Sequence, residues 1–277
     1  MRIVIVGASS GIGLAVAEEF ACRGIRLGLA ARRLDTLNAL KAKYPDTIEV
    51  EQIDVTKEDA PSRLHRLVTK LGGMDVYFHV AGIGFENLTL DPQREVDIIS
   101  TNAGGFARML SAAYRYFRDN RRRGRIAAVT SVAGTRGIGR LSAYSASKAC
   151  AQHYMEALEQ LANAEGAEVS FTDIRPGWIR TPLLEKGRKY PMEMDLEYAV
   201  PLIIRAIVRR PRVAYIDLRW GALVQAWKRL PAAVWTKMDV HVSDPDSPLP
   251  APAHDPFPKP SEEAKQAARD IRDTLRP

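Results

Sequence analysis

Tyr144 and Lys148 lie four residues apart in the stretch YSASK, so on a helix both side chains leave the same face about one turn apart. A phenol with an ordinary pKa of about 10 exchanges protons poorly at neutral pH, but an ammonium held beside it favours the phenolate and lowers that pKa. The pairing predicts a tyrosine tuned by a lysine for general acid–base work. Ser131, in the stretch TSVAG, stands where a strand end would let it hydrogen-bond a carbonyl while Tyr144 delivers the proton and a hydride arrives from a cofactor. Taken alone, Tyr-x-x-x-Lys fits a solvated helix face equally well.

A second constellation opens the chain. In VGASSGIGLAV, residues 6–16, Gly7, Gly11 and Gly13 occur with Ser9, Ser10 and Ile12 between an apolar run and a helix-period stretch. Glycines weaken the interior of a helix or strand, so something must approach the backbone closely here. A glycine-rich turn from strand to helix presents backbone N–H groups and the positive end of a helix dipole, which together suit a pyrophosphate. A plain structural turn is the competing reading of three glycines. The next strand ends in LAARRLDTL, where a carboxylate would bind a ribose 2′-hydroxyl and arginine would suit a 2′-phosphate. Ala31 occupies the acid's position and Arg32 and Arg33 follow, which predicts NADP(H) over NAD(H); the alternative is that both are ordinary residues at the start of an exposed helix.

Positioning these groups requires alternating elements. Apolar runs at Ile3–Val6, Arg26–Ala30, Ile48–Val50, Val76–Val80, Ile126–Thr130, Val169–Ile174 and Val213–Ile216 read as strands, and helix-period segments separate nearly every pair. Such βαβ repetition predicts an α/β fold with a doubly wound parallel sheet of about seven strands, buried on both faces. Residues 1–219 are expected to form one dinucleotide-binding catalytic domain. Two helical segments, Pro92–Arg118 and Ser142–Ala162, carry small or apolar residues round more of their circumference than one core-facing stripe needs, which suits a homodimer or homotetramer interface.

Residues 220–240 hold three of the four tryptophans, with Trp220, Leu223, Val224, Trp227 and Leu230 at helical spacing and Pro231 opening a second short helix. This segment is expected to pack on its own domain or on a second subunit; the competing reading lays its tryptophans, with Lys228, Arg229 and Lys237, on an anionic membrane surface. Residues 241–277 read as a proline-rich linker, with seven prolines between His241 and Pro260, and a short terminal helix capped by Ser261 with Ala264, Ala267, Ala268, Ile271 and Leu275 on one side.

The net charge of +7 comes from basic residues spread along the chain, with one cluster at Arg121, Arg122, Arg123 and Arg125 and no basic stripe interleaved with aromatics, so nucleic-acid binding is not expected. Cys22 and Cys150 have neither C-x-x-C spacing nor a histidine partner, so no metal site or redox pair is expected. No apolar run reaches membrane-spanning length, and Met1 leads straight into a strand, which predicts a cytoplasmic protein.

Taken in order, GASSGIG at 7–13, DVT at 54–56, Asn102, Ser131, YSASK at 144–148 and RPGWIRT at 175–181 resemble the short-chain dehydrogenase/reductase family over roughly residues 1–217. The resemblance implies a Rossmann-type fold and reversible hydride transfer between NADP(H) and a carbonyl or alcohol. It also implies that Asn102, Ser131, Tyr144 and Lys148 form a catalytic tetrad, Asn102 supporting a water-linked proton relay that ends at Lys148. Asp54 and Val55 would contact the adenine, Lys148 the nicotinamide ribose, and Thr181, with the backbone near Ile179 and the Pro176–Gly177 turn, the carboxamide and phosphates. The pattern departs where His79 and Val80 replace the family's usual asparagines ahead of Ala81 and Gly82, and where Val6 replaces a threonine. His79 itself reads as a hydrogen-bonded core residue. Residues 182–201 are expected to form a lid whose Leu183, Leu184, Tyr190, Met192 and Met194 suit an apolar or amphipathic substrate or simple packing. Two rival functions remain: a reductase of carrier-bound 3-oxoacyl groups, and a non-catalytic nucleotide sensor or scaffold.

Overall fold

The computed structural model describes residues 1–184 and 187–240; the proline-rich stretch and terminal helix expected at 241–277 lie outside the described residues. Seven parallel strands form one sheet: β1 (Arg2–Val6), β2 (Arg26–Ala31), β3 (Ile48–Gln52), β4 (Val76–His79), β5 (Gly124–Val129), β6 (Val169–Pro176) and β7 (Val213–Ile216), in the order β3-β2-β1-β4-β5-β6-β7. The doubly wound sheet predicted from the apolar runs is therefore present, with boundaries that differ by a residue or two at half of the strand ends.

The helices are α1 (Gly11–Cys22), α2 (Asp35–Lys43), α3 (Ala60–Leu71), α4 (Pro92–Ile99), α5 (Phe106–Asp119), α6 (Ser142–Ala164), α7 (Leu196–Arg209), α8 (Leu218–Lys228) and α9 (Ala232–Trp235). Alternation along β1 shows how both sheet faces are sealed. Ile3 and Ile5 join a core with residues of α1, α2, α7 and α8, while Val4 and Val6 point the other way into a core with α3, α5 and α6. Right-handed crossovers on both faces leave β1 and β4 adjacent but wound in opposite directions, and a crevice opens at the carboxyl ends of the strands there.

The long segment expected at 92–118 is not one regular helix. A single wide, π-type turn at Ser100–Gly105 separates α4 from α5, and Asn102 sits in it. Its extra residue rotates the face that follows, so that Asn102 is buried while Phe106, Met109 and Leu110 still meet the sheet.

The 220–240 segment packs on its own domain. Trp220 and Val224 enter the core, the Trp227 indole N–H donates to Thr135 Oγ1 at 2.9 Å, and that of Trp235 donates to the Gly137 carbonyl at 2.7 Å.

Candidate active site

The turn after β1 has the backbone that its glycines predict. Gly7 lies at φ +97° and Gly11 at φ +53°, both in the left-handed region. Gly7 donates to the Ala30 carbonyl at 2.8 Å, and a Cβ on it would stand 2.7 Å from Ala81 Cα, so the β1 turn and the β4 turn touch backbone to backbone. Gly13 packs on the Gly7 carbonyl with no room for a side chain. Ser10, the first residue before α1, makes no side-chain cap, so the helix's leading N–H groups are not taken up by it.

This turn forms one end of a cavity of about 880 Å³. Gly7, Ser9, Ser10, Gly11, Ile12, Arg32, Arg33, Asp54, Val55, Ala81 and Gly82 line it on the β1–β4 side, and Ser131, Tyr144, Lys148, Pro176, Gly177, Ile179 and Thr181 line it on the β5–β6 side. Two of the predicted residues stand behind the wall: Gly13 in the helix packing and Asn102 under Gly82. Arg32 and Arg33 are exposed, and neither has an ion pair among the described residues. The Asp54 carboxyl is pushed up by partial burial, but the Thr56 hydroxyl (2.7 Å) and amide (3.0 Å), with Arg32 and Lys57, more than offset this and hold it below the usual range.

Helix α6 presents Tyr144 and Lys148 on one face. Its first turn is fixed by a carboxylate, since Glu95 of α4 accepts from Ser142 Oγ and from the Ala143 N–H, each at 3.1 Å, and from Asn87 Nδ2 at 2.7 Å. Lys148 is buried and donates to the Val129 carbonyl at 3.1 Å, with Nζ 5.6 Å from the centre of the Tyr144 ring. Desolvation lowers its pKa to about 8 against an opposing pull from Asp173.

Tyr144 differs from expectation. Its ring faces the cavity, yet protein surrounds the hydroxyl closely enough that desolvation pushes the phenol above its ordinary value, against a hydrogen bond with Ser131 that lowers it. Burial outweighs what opposes it here because the phenolate is costly to desolvate. In this state the tyrosine is a protonated donor.

Asn102 takes both backbone groups of Ile83, accepting from its N–H at 2.8 Å and donating to its carbonyl at 2.7 Å, and it also donates to Ser147 Oγ at 3.2 Å. Asn102 Oδ1 and Lys148 Nζ converge on Gly82, 3.1 Å and 3.6 Å from where a Cβ there would be. Ser131 is held by its neighbours, its Oγ accepting from the Ala133 N–H at 3.1 Å and its carbonyl accepting from Gln152 Nε2 at 2.7 Å.

Several contributors escaped the sequence reading. Gln152 continues the Tyr144–Lys148 face by one more turn, a spacing visible in the sequence. Gly84 lies so close to the Tyr144 ring that a Cβ would come within 2.6 Å. Most of the distal wall was also missed: beside Leu183, Leu184, Tyr190 and Met192 of the expected lid stand Trp220, Leu223, Trp227, Leu230, Trp235 and Met238. Met194 instead packs in the core and bridges Ile179.

His79 is a core residue, as its place in an apolar strand suggested. It is fully buried with Nδ1 2.9 Å from the Tyr77 hydroxyl, and desolvation, helped by Lys148, lowers its pKa to about 3. The unfolded chain therefore binds a proton at His79 between about pH 6.5 and pH 3 that the folded chain refuses, so stability falls as pH drops through that window. Between pH 7 and 5 this residue alone is expected to cost about 2 kcal/mol, read from urea unfolding, and His79→Asn is expected to flatten the loss.

A family profile described as short chain dehydrogenase matches residues 1–191. The chain belongs to the short-chain dehydrogenase/reductase family. An oxidoreductase of Myxococcus xanthus without an assigned substrate is 37% identical over 213 residues, 74% of the chain and 83% of the relative. Another, from Mycobacterium tuberculosis, is 33% identical over 243 residues, 83% and 94%. Among solved structures, a short chain dehydrogenase from Burkholderia cenocepacia in complex with NADP superposes with a TM-score of 0.72 at 19% identity, over 85% of this chain and 95% of that one. The chain is thus an oxidoreductase of this family with the fold of that NADP-bound structure.

Proposed function

We propose that the protein is an NADP(H)-dependent oxidoreductase that interconverts a carbonyl and a secondary alcohol, with Tyr144 as the acid or base. The observation that carries this reading is the Ser131–Tyr144 hydroxyl pair, backed by the buried Lys148, on the wall of the same cavity whose far end is the Gly7–Gly13 turn. The residues present fit a dinucleotide: the turn leaves no side chain in the way of a pyrophosphate, α1 keeps leading N–H groups free of a side-chain cap, and two exposed arginines with no ion pair within 4 Å among the described residues flank the adenosine end. The nucleotide supplies the hydride when bound.

The chain's own residues do the rest. Ser131 Oγ orients the substrate oxygen and Tyr144 Oη gives it a proton in reduction; the resulting phenolate is stabilised by the Lys148 ammonium, which is mostly protonated at pH 7 given its pKa of about 8. Asn102 and Lys148, meeting beneath Gly82, support a water-linked return of that proton. Asp54 and Val55 would flank the adenine, Ala81 and Gly82 the adenosine side, Lys148 the ribose hydroxyls, and Pro176, Gly177, Ile179 and Thr181 the carboxamide and phosphates. The apolar distal wall supports an apolar or amphipathic substrate, and exposed Val96, Ile99 and Leu161 on α4 and α6 support a homodimer or homotetramer through these helices.

A panel of ketones and aldehydes, followed at the reduced-nicotinamide absorbance with NADPH and with NADH, tests the reading: oxidation of NADPH by at least one carbonyl is expected, and none at all would overturn it. Alanine at both Arg32 and Arg33 is expected to raise the KM for NADPH by about tenfold or more and leave that for NADH nearly unchanged, because a charge-assisted phosphate contact is lost only with the former. Equal effects on both cofactors would remove the 2′-phosphate assignment.

A further inference from the structure

The tryptophans of the 220–240 segment face inward, yet the outside of α8 and α9 is also apolar. Leu218 is 87% exposed, Leu223 38%, Val234 47% and Met238 49%, with Ala222, Ala226, Ala232 and Ala233 exposed between them. A helix apolar on both sides usually has a partner on both sides. The charges alongside have one sign: between Asp217 and Asp239 the chain has no acidic residue and four exposed cations, Arg219, Lys228, Arg229 and Lys237. Arg219 pairs with Asp217, while the other three have no ion pair among the described residues. Leu223, Ala226 and Met238 belong at once to this face and to the cavity lining, which also includes the 45% exposed Leu183. The exposed apolar surface is therefore continuous with the mouth of the cavity.

We infer that the outer face of α8 and α9 docks the protein on an anionic phospholipid bilayer and turns the cavity mouth toward the lipid. Apolar side chains set among unpaired cations match the acyl boundary and the phosphate-rich head-group layer of such a surface. A second copy of this face fits poorly, because two copies would bring the same cations together, and Asp239 at its edge already pairs with Arg140. No helix among the described residues is long and apolar enough to cross a membrane, so the docking proposed is of this face alone. An apolar ligand could then pass between bilayer and cavity without crossing water, which extends the oxidoreductase reading; the docking itself does not depend on turnover.

The test is flotation of the full-length chain with vesicles of phosphatidylcholine alone or mixed with phosphatidylglycerol, at low and high salt. Binding to the anionic vesicles is expected, lost with neutral lipid and reduced about tenfold or more at high salt. Lys228→Glu with Arg229→Glu, and separately Leu218→Gln, should each weaken it several-fold; none of these side chains lines the cavity, and retained NADPH binding by each variant checks its fold. Absence of binding, equal binding to neutral vesicles, undiminished binding by folded variants, or loss of self-association in place of lipid binding would each overturn the proposal. Failure of the carbonyl panel with intact vesicle binding would instead count against the catalytic reading alone.

Discussion

Tyr144→Phe is expected to lower turnover with any accepted carbonyl by about 10²- to 10⁴-fold while leaving NADPH affinity unchanged, because the change removes the donated proton and the hydrogen bond to Ser131 and leaves the Gly7–Gly13 end of the cavity untouched. The ring stays wedged against Gly84, so phenylalanine fits the same space. The loss should appear in kcat more than in KM, since Ser131 still receives the substrate oxygen. In the wild type the reductive rate is expected to fall as pH rises past about 8: Lys148, whose pKa burial lowers to about 8, is protonated and supports the developing phenolate below that pH and loses its charge above it. A rate that climbed through that range would contradict this assignment.

Gly7→Ala carries the second large effect. At φ +97° an L-residue is strained, and its Cβ would press on the backbone of Val80 and Ala81, where no side chain can swing aside. Separation of the β1 and β4 turns would relieve the clash by spoiling the surface proposed for the pyrophosphate. A loss of more than about 3 kcal/mol in urea unfolding is expected, with NADPH binding abolished in whatever remains folded. The exposed Gly24, with open space around it at φ +68°, provides the control: alanine there pays only the backbone strain.

Legibility in the sequence followed the range of the interactions. Strands such as Ile3–Val6 were readable because burial on both sheet faces leaves a continuous apolar run, and the Tyr144–Lys148 pair was readable because helical spacing alone brings the two together. The Gly7–Gly11–Gly13 turn was readable because only glycine tolerates its backbone angles and close approaches. The sign of the Tyr144 shift was not, since it depends on how much protein surrounds the hydroxyl, a property of the whole fold. Glu95 at the start of α6 and the tryptophan wall from α8 and α9 were hidden for a related reason: each acts on residues about 45 to 100 positions away in the chain, and no local pattern marks such a contact. The π-type turn at Asn102 was not readable either, because its phase shift falls in a segment with small or apolar residues round much of its circumference, where no single stripe marks the phase.

The most direct measurement follows the label from NADPH carrying deuterium at C4 of its nicotinamide, mixed with the protein and an apolar ketone. Deuterium on the carbinol carbon of the product with the wild type, and almost none with Tyr144→Phe that still binds the nucleotide, is the expected result. Bound NADPH whose deuterium never leaves it across the whole ketone panel, or equal transfer by the phenylalanine variant, would contradict the account.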